Sequence, residues 1–237
     1  MTSSVGRLTG RIALITGASR GLGAAIAQRF AKEGAHLVLV ARTVGGLEEV
    51  YDAVKAVGGE ATLVPLDLAQ FEAIDELGLR LYERFGRLDI LIGNAAALGV
   101  LSPVGHIEPK TWDETFAINV TANFRLIRSF DPLLRQSEAG RAIFVPSAAT
   151  KNLFPFWGLY STTKAALDAI VLTYAREMAN TTVRANLIDP GVIRTGMRAA
   201  AMPGEDPATL RQPDDVTEAF VDLAAADSMR NGEIIKA

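Results

Sequence analysis

Tyr160 and Lys164 stand four residues apart in Tyr160-Ser161-Thr162-Thr163-Lys164, at the opening of an alanine-rich helical segment. Residues at that spacing share one helix face, so the Lys164 ammonium can approach the Tyr160 hydroxyl. A nearby cation favours phenolate and lowers a tyrosine pKa from its reference of about 10. A phenol tuned in this way can trade a proton near neutral pH. The same spacing also occurs in solvent-facing pairs, so the companions decide. Ser147 closes a buried strand-like run thirteen residues before Tyr160. Its hydroxyl there could hold a substrate oxygen or merely cap the strand. Asn119 falls inside a long apolar helical segment, where an amide needs partners. It reads as a working group or as a satisfied core amide.

A second constellation lies near the start of the chain. A strand-like run leads into Thr16-Gly17-Ala18-Ser19-Arg20-Gly21-Leu22-Gly23 and then into a helix. Glycines here serve a tight turn, close approach of backbone to a pyrophosphate, and close contact of helix on strand. The free N–H groups at the helix start suit phosphate oxygens. The second strand ends in Val40-Ala41-Arg42, where an NAD-preferring site usually places an acidic residue. Arg20 and Arg42 could pair with a 2′-phosphate, whose oxygens match the guanidinium fork, or remain solvated surface arginines. NADP(H) is therefore expected in preference to NAD(H). Asp67, at the end of the third strand, could approach an adenine or cap the next helix.

The elements that must position these groups follow from hydrophobic periodicity. Uniformly apolar runs recur at residues 12–16, 37–40, 61–65, 88–92, 142–145, 183–188 and 233–236. Strands this apolar are buried on both faces, as in a parallel sheet. Helical spacing appears at residues 22–33, 111–136 and 158–179, with Gly34 as a C-terminal stop and Pro132 bending the second or starting its last turn. The alternation predicts an α/β fold, doubly wound with right-handed crossovers, around one seven-stranded parallel sheet with helices on both faces. The one long irregular stretch, residues 191–213, reads as a mobile lid.

Composition excludes several classes. The 237 residues suit one domain, with residues 1–10 as a polar lead. A net charge of −3 gives no reason to expect nucleic acid or anionic lipid. Without cysteine there is no disulfide, thiolate nucleophile or thiolate metal site. No secretory signal or membrane-length apolar run appears, so a soluble cytoplasmic protein is expected.

Taken together, these pieces resemble the short-chain dehydrogenase/reductase family over essentially the whole chain. The matching elements are the 16–23 turn, Asp67-Leu68, Asn94-Ala95-Ala96, Asn119, Ser147, Tyr160 with Lys164, and Pro190-Gly191 followed by Thr195. The resemblance implies a Rossmann fold and hydride transfer between NADP(H) and a carbonyl or secondary alcohol. It implies that Tyr160 is the acid/base, that Ser147 orients the carbonyl, and that Lys164 binds the nicotinamide ribose and lowers the Tyr160 pKa. Asn119 then supports a water that relays protons through Lys164. Gly17, Ser19, Arg20, Gly21, Leu22 and Gly23 surround the pyrophosphate. Arg42, Asp67, Leu68, Asn94 and Ala95 line the nucleotide side, and Pro190, Gly191, Ile193 and Thr195 meet the carboxamide end. No metal is implied.

Three departures stand out. Ala97 replaces a usual glycine, Pro146 precedes Ser147, and the chain ends Asn231-Gly232-Glu233-Ile234-Ile235-Lys236-Ala237 without the family's usual glycine-bearing tail. Between Ser147 and Tyr160, Leu153, Phe154 and Trp157 could wall an apolar substrate or bury themselves in an interface. A 3-oxoacyl thioester reductase is the nearest alternative enzyme, and a catalytically silent dinucleotide-binding sensor is the alternative of another class. Residues 111–136 and 158–179 are apolar on more than one face, which by analogy suits a homo-tetramer, or a homodimer.

Overall fold

Seven short apolar runs form one sheet in the computed structural model, which describes residues 6–237. They are β1 (Ile12–Thr16), β2 (His36–Ala41), β3 (Glu60–Pro65), β4 (Ile90–Gly93), β5 (Arg141–Phe144), β6 (Arg184–Asp189) and β7 (Ile234–Lys236). All pairings are parallel, in the order β3-β2-β1-β4-β5-β6-β7. Every residue of β1, β4 and β5 is buried, as the uninterrupted apolar runs require.

The helices divide between the two faces. Helices α1 (Gly21–Lys32), α2 (Val44–Ala56) and α9 (Thr217–Ala224) cover one side, where Phe30, Leu47 and Phe220 meet β1 and β2 residues. Helices α3 (Phe71–Phe85), α5 (Ala122–Arg135) and α7 (Gly158–Glu177) cover the other, around Phe130, Phe144 and Leu167. Each such side chain removed from water contributes about 1.5–3 kcal/mol before entropy is counted. Leu8, in the lead, is fully buried and donates its N–H to the Glu33 carbonyl at 2.9 Å. Residues 1–5 of the lead lie outside the described residues.

After β3 the chain crosses back, so β1 and β4 are neighbours although their outgoing connections run to opposite sides. The carboxyl ends of β1 and β4 therefore diverge and leave a crevice. This places the glycine turn, residue 94, Ser147 and residue 190 along one edge, because each directly follows a central strand.

Two expectations need correction. The single helix over residues 111–136 is three pieces: α4 (Pro109–Phe116), a π-helical turn (Ala117–Thr121) and α5. The break comes at Asn119, whose side chain bonds outside the helix, while Pro132 opens the last turn of α5, the second of the two roles expected for it. The stretch at 191–213 is more regular than expected. It holds α8 (Gly196–Ala201), capped by Thr195 Oγ1 accepting from the Arg198 N–H at 3.2 Å, and a 3-10 turn, Pro207–Thr209. Its two ends are tied by the Arg194 N–H to the Arg211 carbonyl at 2.9 Å. A second irregular stretch, residues 94–108, contains only the 3-10 turn Val104–His106. The short helix α6 (Ala149–Asn152) follows Ser147.

Candidate active site

The glycine turn is shaped by positive backbone angles that β-carbon-bearing residues resist. Gly17 has φ +65° and Gly21 φ +55°. A Cβ on Gly23 would lie 2.2 Å from the Gly17 carbonyl oxygen, so close contact of α1 with β1 demands glycine there. Asn94 holds the turn from the neighbouring strand. Its side-chain amide donates to the Thr16 carbonyl at 2.9 Å, and its own N–H donates to Thr16 Oγ1 at 3.0 Å. The Ala95 N–H donates to the same hydroxyl at 3.1 Å. Helix α1 starts with no side-chain cap and no acidic residue in its first turn. Its leading N–H groups remain for an anion, which fits a pyrophosphate. The turn at Ser19 meets the end of β2, where Thr43 Oγ1 donates to Ser19 Oγ at 3.3 Å. Arg20 and Arg42, each adjacent in sequence to one of that pair, are exposed and form no ion pair among the described residues.

Asp67 is spent locally. Its Oδ1 accepts from the Ala69 N–H at 3.0 Å, the capping alternative seen in the sequence, and Leu68 is buried beside it. On the far side of the crevice, Pro190 and Gly191 follow β6, and the Gly191 N–H donates to Asp189 Oδ1 at 3.0 Å. Ile193 is buried, and Thr195 reaches back over the glycine turn. A Cβ placed on Gly21 would lie 3.5 Å from its methyl group.

The three groups of the proposed proton chemistry converge. Ser147 leaves β5 through Val145 and Pro146, and its Oγ accepts from the Ala149 N–H at 3.2 Å. Tyr160, in the first turn of α7, is 8% exposed. Ser147 faces the phenol and favours its ionised form, although no hydrogen bond closes between the two hydroxyls. The Tyr160 hydroxyl donates to Met197 Sδ, at 3.9 Å on α8. Lys164 Nζ lies 5.8 Å from the centre of the Tyr160 ring and donates to the Val145 carbonyl at 2.8 Å.

The expected lowering of the Tyr160 pKa is not found in this geometry. Burial pushes the phenol up to about 12, Ser147 opposes that, and Asp189 adds to it. The physical reason is twofold: the tyrosine has lost its water, and the lysine has turned its proton toward a backbone carbonyl. Lys164 itself is brought down to about 8 by burial. The pair is thus poised by desolvation, with tyrosine protonated at neutral pH.

Asn119 is fully buried at the π-turn. Its Oδ1 accepts from the Ala97 N–H at 2.7 Å, and its Nδ2 donates to the Ala97 carbonyl at 2.8 Å and to Thr163 Oγ1 at 3.0 Å. Both polar atoms of the side-chain amide are therefore engaged, while its backbone carbonyl accepts from Asn123 Nδ2 at 2.9 Å. Ala97 takes an ordinary backbone angle, so the missing glycine causes no strain there.

Sequence reasoning missed Thr163, Met197, Thr150 and Asp168. Thr163 relays Asn119 to the Tyr160 carbonyl at 2.8 Å. A threonine at a buried position of an alanine-rich helix was the available signal.

The family model for short chain dehydrogenase matches residues 11–206. An uncharacterized oxidoreductase, YciK of Escherichia coli K12, is 34% identical over 94% of this chain and 89% of its own length. A short chain dehydrogenase of Pseudomonas syringae superimposes with a TM-score of 0.95 at 36% identity, covering 99% of this chain and 97% of that one. One from Shigella flexneri 2a, solved in complex with NADP, gives 0.94 at 33% identity over 98% of this chain and 99% of its own. This chain belongs to the short-chain dehydrogenase/reductase family and is an oxidoreductase with a Rossmann-type fold.

Proposed function

We propose that the protein transfers a hydride between NADP(H) and a carbonyl or secondary alcohol, as one Rossmann domain with Tyr160 as acid/base. The reading rests on one observation above all. A buried phenol, a serine hydroxyl facing it and a buried ammonium one helical turn away meet at the mouth of the β1/β4 crevice, beside an uncapped helix N-terminus. The nicotinamide, when bound, supplies or accepts the hydride.

The chain's own groups do the rest. Ser147 orients the carbonyl oxygen toward Tyr160, which gives its proton during reduction and takes one during oxidation. Lys164 holds ribose hydroxyls one helical turn from Tyr160. Asn119 fixes the peptide at Ala97 and supports a relay water. Arg20 and Arg42 pair with a 2′-phosphate; support comes from the absence of any acid in Ala41-Arg42-Thr43 and from the NADP complex of the Shigella neighbour. Residues 191–213 close over the cofactor as a lid, with Met197 and Thr195 facing inward.

The substrate is apolar around its reacting carbon. Leu153 and Phe156 are held at φ +45° and +73°, which large side chains resist, and they are 70% and 57% exposed between Ser147 and Tyr160. Assembly as a homo-tetramer, or at least a dimer, is supported by the half-exposed Phe124 on α5. Parallel screens of apolar ketones and polar sugars with NADPH and NADH test the reading. Preferential turnover of apolar ketones with NADPH is expected, and uniform preference for sugars, or for NADH, contradicts it.

A further inference from the structure

Helix α7 carries Tyr160, Lys164 and Asp168 at successive four-residue steps, so all three share one face. The proposed chemistry uses only the first two. Lys164 is 2% exposed, and the Val145 carbonyl is its single hydrogen-bond acceptor among the described residues. An ammonium so placed has surrendered most of its hydration, and its charge survives only if an anion lies close. Asp168 is the carboxylate that faces it.

Asp168 is itself anomalous. Its Oδ1 is buried and has no hydrogen-bond partner, one of two such side-chain atoms among the described residues, with Ser161 Oγ. A buried carboxylate oxygen without a donor is costly, and such groups concentrate where chemistry needs them. The groups around it are Lys164 on its own helix, Thr150 and Lys151 on α6, and Asp189 at the end of β6. The Thr150 hydroxyl donates to the Ser147 carbonyl at 2.9 Å. The carboxylate therefore stands between Lys164 and the segment that carries Ser147.

We propose that Asp168 is a positioning residue, the counter-ion that keeps buried Lys164 in its ammonium form beside Tyr160. The proposal rests on the roles given to Tyr160 and Lys164 above. Burial brings Lys164 down to about 8, and Asp168 is the group that opposes this. Burial also pushes Asp168 up to about 6, against the pull of Lys164, Thr150 and Lys151 and with the push of Asp189. Both groups are accordingly charged between those two values: below them the carboxylate is neutral, and above them the amine is.

The test uses the ligand-free protein with 13C-labelled lysine. The Lys164 ε-carbon is assigned through Lys164→Met and followed by NMR across pH. In Asp168→Asn, with folding checked by thermal melting, the Lys164 midpoint is expected to fall by about one pH unit. Asp168→Glu should recover part of that shift. An unchanged midpoint in the asparagine variant overturns the proposal. In the unsubstituted protein the same resonance should register a minor step near pH 6 as Asp168 takes up its proton. A curve with a single step there overturns the proposal without any variant. Neither readout needs turnover, so a failure of the hydride-transfer reading in the ketone screen is distinguishable from a failure here.

Discussion

Lys164 Nζ donates to the Val145 carbonyl at 2.8 Å, which ties α7 to the end of the strand that delivers Ser147. That hydrogen bond joins the two elements whose hydroxyls, in the proposed function, share a substrate oxygen. The lysine is a structural clamp in the same geometry in which it is a charge source, and its burial has a measurable consequence.

That consequence is a pH-dependent stability. Lys164 titrates at about 8 when folded and at 10.5 when unfolded, so the unfolded chain holds the extra proton between those values. Above the upper value the buried amine is neutral and carries no penalty; the penalty is complete once pH falls through the lower. Lys164→Met removes this titration. Relative to the unsubstituted protein, it should be more stable by up to ~3 kcal/mol below the lower value, less any constant loss of the Val145 bond. Denaturant unfolding at a series of pH values should find the gap shrinking as pH rises, and a constant gap contradicts the account.

Asn119 bonds both polar atoms of the Ala97 peptide and the Thr163 hydroxyl. Asn119→Ala leaves buried backbone groups unpaired, at a cost of about 2–4 kcal/mol. Urea unfolding should register it as a lowered midpoint with an unchanged slope. A loss below about 0.5 kcal/mol would mean that the Ala97 segment finds other partners.

Arg42→Asp places at the end of β2 the acid that NAD-preferring sites carry. NADPH affinity should fall about tenfold to a hundredfold through loss of a charge-assisted pair and gain of repulsion. NADH affinity should hold or improve. Parallel fluorescence titrations with both cofactors measure this, and equal weakening of both contradicts a 2′-phosphate site at this corner.

Met197 Sδ lies 3.9 Å from the Tyr160 hydroxyl, and the proposed function makes it the apolar cover over the reacting position. Met197→Ala should raise KM for apolar ketones roughly tenfold, the equivalent of about 1–2 kcal/mol of lost apolar contact. NADPH affinity should be unchanged, and an unaltered KM places the substrate elsewhere.

Much of this was legible in the sequence because buried parallel strands leave a plain signal. Runs such as Ile12–Thr16 are apolar at every position but the last, and the glycine turn must follow the first of them. What escaped depends on tertiary contact. Apolar spacing over residues 111–136 cannot reveal that Asn119 bonds the Ala97 peptide across the site and that a π-turn stands where one helix was expected. The pKa of Tyr160 depends on how much water reaches it, and the orientation of Lys164 on a backbone carbonyl that carries no side-chain signature. The short helix α8 did carry a signal, a capping threonine before Gly196-Met197-Arg198-Ala199, obscured by the prolines and glycines that follow.

The central claim is that the Tyr160 hydroxyl exchanges the substrate proton, and Tyr160→Phe removes that hydroxyl alone. Steady-state reduction of the best ketone from the screen should fall by about 10²–10⁴-fold, while NADPH binding measured by fluorescence stays within a factor of about two. Turnover that survives the substitution contradicts the claim.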